Sequence, residues 1–414
     1  MASKYQAPRG TFDVLPGDAR ARRRIEATAS AIFERAGYEP IATPAFEDTE
    51  LFERGVGRST DIVRKEMFTF EDKGGRSITL RPEGTAPICR AYVEHGMHKL
   101  AQPVKLSYAG PFFRHERPQA GRYRQFHQLG VEAIGTDSPL ADAEAIVLLS
   151  DLLTELGVPG VELRIANLGS PGSRRAYLEE LKAHLRAHET KLSKDVRERI
   201  EINPLRAFDA DDEGTRGVMA NAPTIVERLE GEDAEHFAEV RTLLEAAGID
   251  FEIDPTLVRG IDYYTRTIFS FVCDELGAQS EVGGGGRYDG LIEQLGGPPT
   301  PAVGWAAGIE RILLALGEAE EETGRDAFIA VADPGRQREA LVLAIELRHA
   351  GLTAEVDLAG RGLKGQLKHA DRLGARRVLI LEPEGSAQLR DMQSGEQRQI
   401  DPVDLVEAIG GERS

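Results

Sequence analysis

Apolar and polar positions change period several times along the chain, and each change marks a change of element. After Pro16-Gly17-Asp18, the residues Ile25, Ala29, Ile32, Phe33 and Ala36 recur at helical spacing. That spacing predicts a helix with one buried stripe, Asp18 as its N-cap and Gly37 as its end. An extended run over residues 38–44 follows. Residues 67–70 and 77–80 alternate around Asp72-Lys73-Gly74-Gly75, the pattern of a β-hairpin. Residues 105–135 hold two more strand-like runs joined by the polar turn RPQAGRYR. In the second run Phe126, Gln128, Gly130 and Glu132 fall on one face, and His127, Leu129, Val131 and Ala133 on the other. In the first, Phe112, Arg114 and Glu116 lie together. A face mixing Arg, Glu and Gln with Phe and a bare Gly suits the floor of a site for a charged, partly aromatic ligand. From spacing alone, an edge hairpin with one solvated face fits equally well.

Further on, residues 142–156 read as a helix and 161–166 as a strand. The block 170–248 is charged, helical and loop-rich, with a second charged helix over 224–247, and reads as an insertion. Residues 257–273 read as a tyrosine-rich strand that puts Tyr263 and Tyr264 on opposite faces. Gly283 to Gly286 allow a close, side-chain-free approach or a flexible turn. Residues 304–316 read as a helix burying Ile309, Ile312, Leu313 and Leu316, with Arg311 off the stripe. After an acidic stretch at 317–325, strands and helices alternate, which predicts a small α/β domain with a mainly parallel sheet.

A chain of 414 residues exceeds one ordinary core and implies about two or three domains. No apolar run approaches a membrane span, and MASKYQAPRGTF lacks the apolar core of a signal peptide. Cys89 and Cys273 are the two cysteines, and no spacing matches a zinc site. A cytoplasmic protein with no protein-ligated metal is therefore expected. A net charge of −18 argues at first sight against a nucleic-acid partner. Local potential decides such binding, however, and two basic clusters stand out. One is Arg361, Lys364, Lys368, Arg372, Arg376 and Arg377. The other is Arg114, Arg117, Arg122 and Arg124.

FFRHE, the basic loop and RQFHQLGVE resemble motif 2 of class II aminoacyl-tRNA synthetases, in the form typical of histidyl-tRNA synthetases. The helix and proline-closed strand near the N-terminus resemble motif 1, and GIERILLAL resembles motif 3. LRPEGT and RGIDYYT are similar to two histidine-specific elements of the same family. The resemblance implies an α+β protein. Its catalytic domain, 1–325, would be built on an antiparallel sheet with a helical insertion at about 170–248, and 326–414 would be an α/β anticodon-binding domain. It implies a homodimer that uses ATP and Mg2+ to join L-histidine to tRNA(His) through a histidyl-adenylate.

Residue by residue, the resemblance implies that Arg259 and Arg114 flank the α-phosphate as catalytic groups and Arg311 holds the γ-phosphate. Phe126 would stack on adenine and Glu116 read its edge, with Arg122 also at the nucleotide. Glu83, Thr85 and Gln128 would receive the amino group of histidine and Glu132 and Tyr264 its ring, with Gly84, Arg114, Arg259 and Tyr263 also in the histidine site. Arg117 and Gln119 would face the tRNA acceptor end. Two rivals share the fold: the non-catalytic regulatory subunit of ATP phosphoribosyltransferase, and the class II synthetases for proline, threonine or glycine. The first usually lacks the C-terminal domain, and RGIDYYT argues against the second.

Overall fold

The computed structural model describes residues 5–273, 276–277, 280–317 and 324–410. Two compact units divide between Ala319 and Glu320. Of the acidic stretch 317–325, residues 318–323 lie outside the described residues, as does Asp274 at the end of the tyrosine-rich run.

The first unit is organised by an eight-stranded sheet in the order Glu39–Pro40, Val104–Phe113, Gln125–Ile134, Ala302–Gly308, Glu281–Arg287, Thr265–Cys273, Val161–Asn167 and Glu252–Ile253. The central strands pair antiparallel, and each edge strand runs parallel to its neighbour. The alternation read from residues 125–134 holds. Leu129, Val131 and Ala133 enter the core with Val303, Trp305 and Ala307 of the next strand. They pack against Ile25, Ala29, Ile32 and Phe33 of the helix Pro16–Arg35, and against Ile146, Leu149 and Leu153 of the helix Pro139–Glu155.

Several elements differ from the sequence reading for identifiable reasons. Pro16 opens the first helix, so Asp18 falls in the first turn and Leu15 holds the N-cap position; a proline's fixed φ suits that opening. Residues 304–308 are strand, and the helix starts at Ile309, because Gly304 pairs with Glu132 inside the sheet. A short sheet orders Phe46–Asp48, Ser77–Leu80 and Phe68–Glu71. Its hairpin closes where the Asp72 carboxylate accepts the backbone N–H groups of Gly74 and Arg76.

The inserted block has a core of its own, formed by Tyr177, Leu181, Leu185, Val196, Ile200 and Val218. Its last charged helix is Gly231–Ala246, and that helix packs Phe237, Val240 and Leu244 into the main core instead. The entry and exit of the block meet at Asp233. Its carboxylate accepts the Ser170 backbone N–H, the Ser173 hydroxyl and Arg266 Nε. Burial would raise this carboxyl, but those hydrogen bonds bring it down to about 2.

The second unit holds a five-stranded sheet in the order Ala354–Val356, Ala327–Val331, Arg377–Leu381, Ala387–Asp391 and Gln397–Gln399. The first three strands are parallel and the last two antiparallel, so the sheet is mixed. The segments after Leu381 are too short for a crossover helix and return as hairpins. Lys364, Lys368 and Arg372 are exposed on the helix Leu363–Arg372, whereas Arg361 pairs with Asp357 and Arg377 with Asp391.

Candidate active site

On the face of the large sheet opposite the main core lies a cavity of about 490 Å³. Glu83, Gly84, Thr85, Arg114, Glu116, Arg122, Phe126, Gln128, Arg259, Tyr263, Tyr264 and Arg311 all line it. Segments far apart in the chain thus converge, as the motifs required. Three expected residues do not line it. Arg117 and Gln119 are exposed on the loop between the two central strands, where Gln119 bridges Arg122. Glu132 is fully buried behind the wall, its carboxylate taken up by the Thr85 hydroxyl at 2.7 Å and by the Tyr288 hydroxyl.

One end of the cavity is an acid-and-hydroxyl corner at the start of the helix Thr85–Glu94. The Glu83 carboxylate accepts the Thr85 N–H at 2.8 Å and the Ala86 N–H at 2.9 Å, two of the donors a helix start leaves open. The cap and the site are therefore the same group. Tyr263 donates to Glu83 at 3.5 Å, and the Tyr263 and Tyr264 rings sit 4.7 Å apart. Both tyrosines face the cavity, contrary to strand parity, because the strand begins only at Thr265 and they lie in the loop before it. Burial pushes the Tyr264 phenol up to about 12 and the Glu132 carboxyl up to about 8. Burial thus favours the protonated form of Glu132, against the two hydroxyls that donate to it.

The other end is cationic. Arg114 donates from Nε to the Pro82 carbonyl at 2.8 Å, and its guanidinium stands 5.3 Å over the Phe126 ring. Arg122 pairs with Glu116, which is not on the strand as read: the strand stops at Phe113, and Glu116 belongs to the loop. Arg311 reaches the Gly121 and Glu281 carbonyls. Arg259 is held by the Glu281 carboxylate and the Phe269 carbonyl. A side chain at Gly284 would collide with its guanidinium, so the glycine strand makes room for this arginine.

The bare Gly130 has a similar explanation. A Cβ there would lie 2.6 Å from the Tyr108 ring. The gap is filled by a side chain of the protein, not left open for a ligand. Tyr108 also lines the cavity, and its buried hydroxyl, like Gln128 Oε1, has no hydrogen-bond partner among the described residues. Tyr108 was legible, since it shares strand parity with Phe112. Glu281 and Glu310 were not, because neither stands out by spacing. Glu310 accepts the His127 backbone N–H and meets its ring at 2.9 Å, joining the second central strand to the helix Ile309–Leu316.

Residues 10–312 match the model of the histidyl-tRNA synthetase family, and residues 326–412 match that of an anticodon binding domain. The histidine–tRNA ligase of Rubrobacter xylanophilus is 48% identical over 98% of this chain and 100% of its own length. The chain belongs to the histidyl-tRNA synthetase family. The crystal structure of apo S. aureus histidyl-tRNA synthetase superposes with a TM-score of 0.82 at 37% identity, covering 98% of this chain and 99% of that one. A Bacillus halodurans structure titled as an ATP phosphoribosyltransferase regulatory subunit/histidyl-tRNA synthetase has a TM-score of 0.67 at 23% identity, covering 92% and 99%. That likeness is one of fold. The histidyl-tRNA synthetase assignment accounts for the order of elements read from the sequence, from LRPEGT through RGIDYYT to GIERILLAL.

Proposed function

We propose that the cavity forms histidyl-adenylate from L-histidine and ATP, and that the histidyl group then passes to tRNA(His). The chain is an aminoacyl-tRNA synthetase of the histidine-specific kind. The observation that carries the mechanism is the meeting of the Glu83–Thr85 corner and three arginines in one cavity. The histidine ammonium would sit at Glu83, Thr85 and Gln128, with its carboxylate directed toward Arg114 and Arg259. A carboxylate oxygen attacks the α-phosphorus, and the bond from that phosphorus to the bridging oxygen breaks as pyrophosphate leaves. Charge grows on the α-phosphoryl oxygens meanwhile, and fixed guanidinium groups stabilise it most at that moment. Phe126 would stack on adenine, with Glu116 at its edge and Arg122 beside it, and Arg311 would take the γ-phosphate. In the second step a hydroxyl of the terminal tRNA ribose attacks the acyl carbon and AMP departs. Arg117 and Gln119, exposed on their loop, would meet the acceptor end.

Selection of imidazole needs one donor and one acceptor. Tyr264, and Glu132 acting through the Thr85 hydroxyl that lines the cavity, can supply both. Sites that satisfy buried polar atoms of one substrate reject its isosteres by about 10⁴ or more. The carboxylates lining the cavity are already engaged, Glu83 by backbone N–H groups, Glu116 by Arg122, Asp209 by Arg206, Glu281 by Arg259 and Glu310 by His127. They do not form a ready set of metal ligands. The Mg2+ that accompanies ATP would be held mainly by phosphate oxygens, and no step here runs through it. ATP–pyrophosphate exchange, tested with each amino acid separately, should proceed with histidine alone. Equal exchange with another amino acid, or none with histidine, would overturn the reading.

We also propose a homodimer, located in the cytoplasm with its tRNA. The apolar stripe of the helix Pro16–Arg35 faces the chain's own core, so the helix has little left for a partner. The short sheet does: Phe46 is 53% and Phe70 47% exposed, and the Glu39–Pro40 edge is unpaired on one side. Sedimentation at micromolar concentration should give twice the chain mass, and a stable monomer would refute the dimer.

A further inference from the structure

Glu281 engages two of the arginines assigned to the nucleotide. Its carboxylate lies 2.7 Å from Arg259 Nη1, and its carbonyl accepts Arg311 Nη1 at 2.5 Å. It begins the strand Glu281–Arg287, where the pairing with Thr265–Cys273 shifts register between Glu281 and Gly283. Such a bulge re-aims a side chain, and this one lines the cavity. The Glu281 side chain is 41% exposed, whereas that of Arg259 is 10% exposed. The guanidinium assigned to a phosphate thus has an anion of the protein's own on it. Arg114 differs, since its short contact is with a neutral carbonyl and Glu116 stands 3.8 Å away.

We propose that Glu281 is a positioning residue that holds Arg259 aimed into the cavity and competes with ATP for it. The proposal rests on the adenylate-forming reading above. An arriving triphosphate must share or displace the carboxylate, and two like charges beside one cation weaken the phosphate contact. In return, the guanidinium is already oriented when the nucleotide arrives, so less ordering remains for the transition state. Glu281 thus exchanges ATP affinity for rate. Histidine is held mainly at the Glu83 end and shares Arg259 only through its carboxylate, so its binding depends less on this exchange than that of ATP.

The test is ATP–pyrophosphate exchange by wild type, Glu281→Gln and Glu281→Ala, with ATP varied at saturating histidine. Both variants should lower the KM for ATP about three- to tenfold, the scale of a partly exposed ion pair. The kcat should fall in both, and further in Glu281→Ala, because the amide of Gln can still accept from Arg259 whereas Ala cannot. The KM for histidine should move less than that for ATP, because its ammonium is held at the Glu83 end. An ATP KM that is unchanged or raised in both variants, with thermal melts confirming that they fold, overturns the proposal. So does a lowered melting temperature with no change in ATP KM, the mark of a purely structural ion pair. If wild type shows no histidine-dependent exchange, it is the adenylate-forming reading that fails, and this role of Glu281 falls with it.

Discussion

Arg259→Ala should lower the rate of adenylate formation by about 10² or more, the loss that follows removal of one preorganised donor. The guanidinium is fixed by the Glu281 carboxylate and the Phe269 carbonyl, in a space that the absent side chain of Gly284 leaves open. A group held so firmly contributes most when the phosphorus becomes five-coordinate and its oxygens gain charge. The effect should therefore fall more on the rate than on the KM for histidine, which rises only by the share of the substrate carboxylate that Arg259 holds beside Arg114. Arg259→Lys should not rescue it fully, since an ammonium cannot reproduce the planar fork. Single-turnover pyrophosphate release decides the matter. A normal rate in Arg259→Ala would remove this residue from the chemistry and leave it a structural partner of Glu281.

The second large effect concerns folding. Arg287 closes the glycine strand, and its side chain is fully buried, as is that of its partner Asp142. The guanidinium also donates to the Thr136 and Ser138 carbonyls and to Asp289. Burial would raise the Asp142 carboxyl, but the His236 ring and the Arg287 guanidinium outweigh it and hold it below the usual range. Removing one member of such a pair strands a charge in the interior. Arg287→Ala or Asp142→Ala should therefore cost about 3–5 kcal/mol of stability, read as a lowered urea midpoint. The double variant Arg287→Met with Asp142→Leu should recover much of the loss, because two apolar groups leave no charge behind. A single variant as stable as wild type would show that water or a rearranged neighbour reaches the remaining charge.

Where side chains alternate on a true strand, the sequence was a good guide. Residues 125–134 divided correctly into a core face and a site face, and the corner at Glu83 to Thr85 fell at a helix start as read. The reading failed where local pattern and backbone part company. Tyr263 and Tyr264 were assigned opposite faces by a strand rule, yet they lie in a loop that turns both rings inward. Gly130 looked like a ligand floor because a sequence cannot display Tyr108 leaning across from the neighbouring strand. Glu132 was read as a ring contact, yet it does not line the cavity: its carboxylate accepts the hydroxyl of Thr85, which does, and that of the buried Tyr288. Glu281 carries no motif, and its importance comes from a register shift that only pairing reveals.

The inserted block fills its own interior, with Leu181, Leu185, Val196 and Val218 meeting one another and not the sheet. Cooperativity follows the boundaries of such cores, so the part of the block before the helix Gly231–Ala246, which packs into the main core, should open as a unit of its own. Its local opening, visible as amide exchange at a lower free energy than the central strands, need not disturb the sheet. Arg206 and Asp209 of this block line the cavity together with Arg259 and Glu281. One wall of the reaction chamber therefore belongs to a less cooperative part of the molecule than its floor. Opening of that wall need not carry the central strands of the sheet with it.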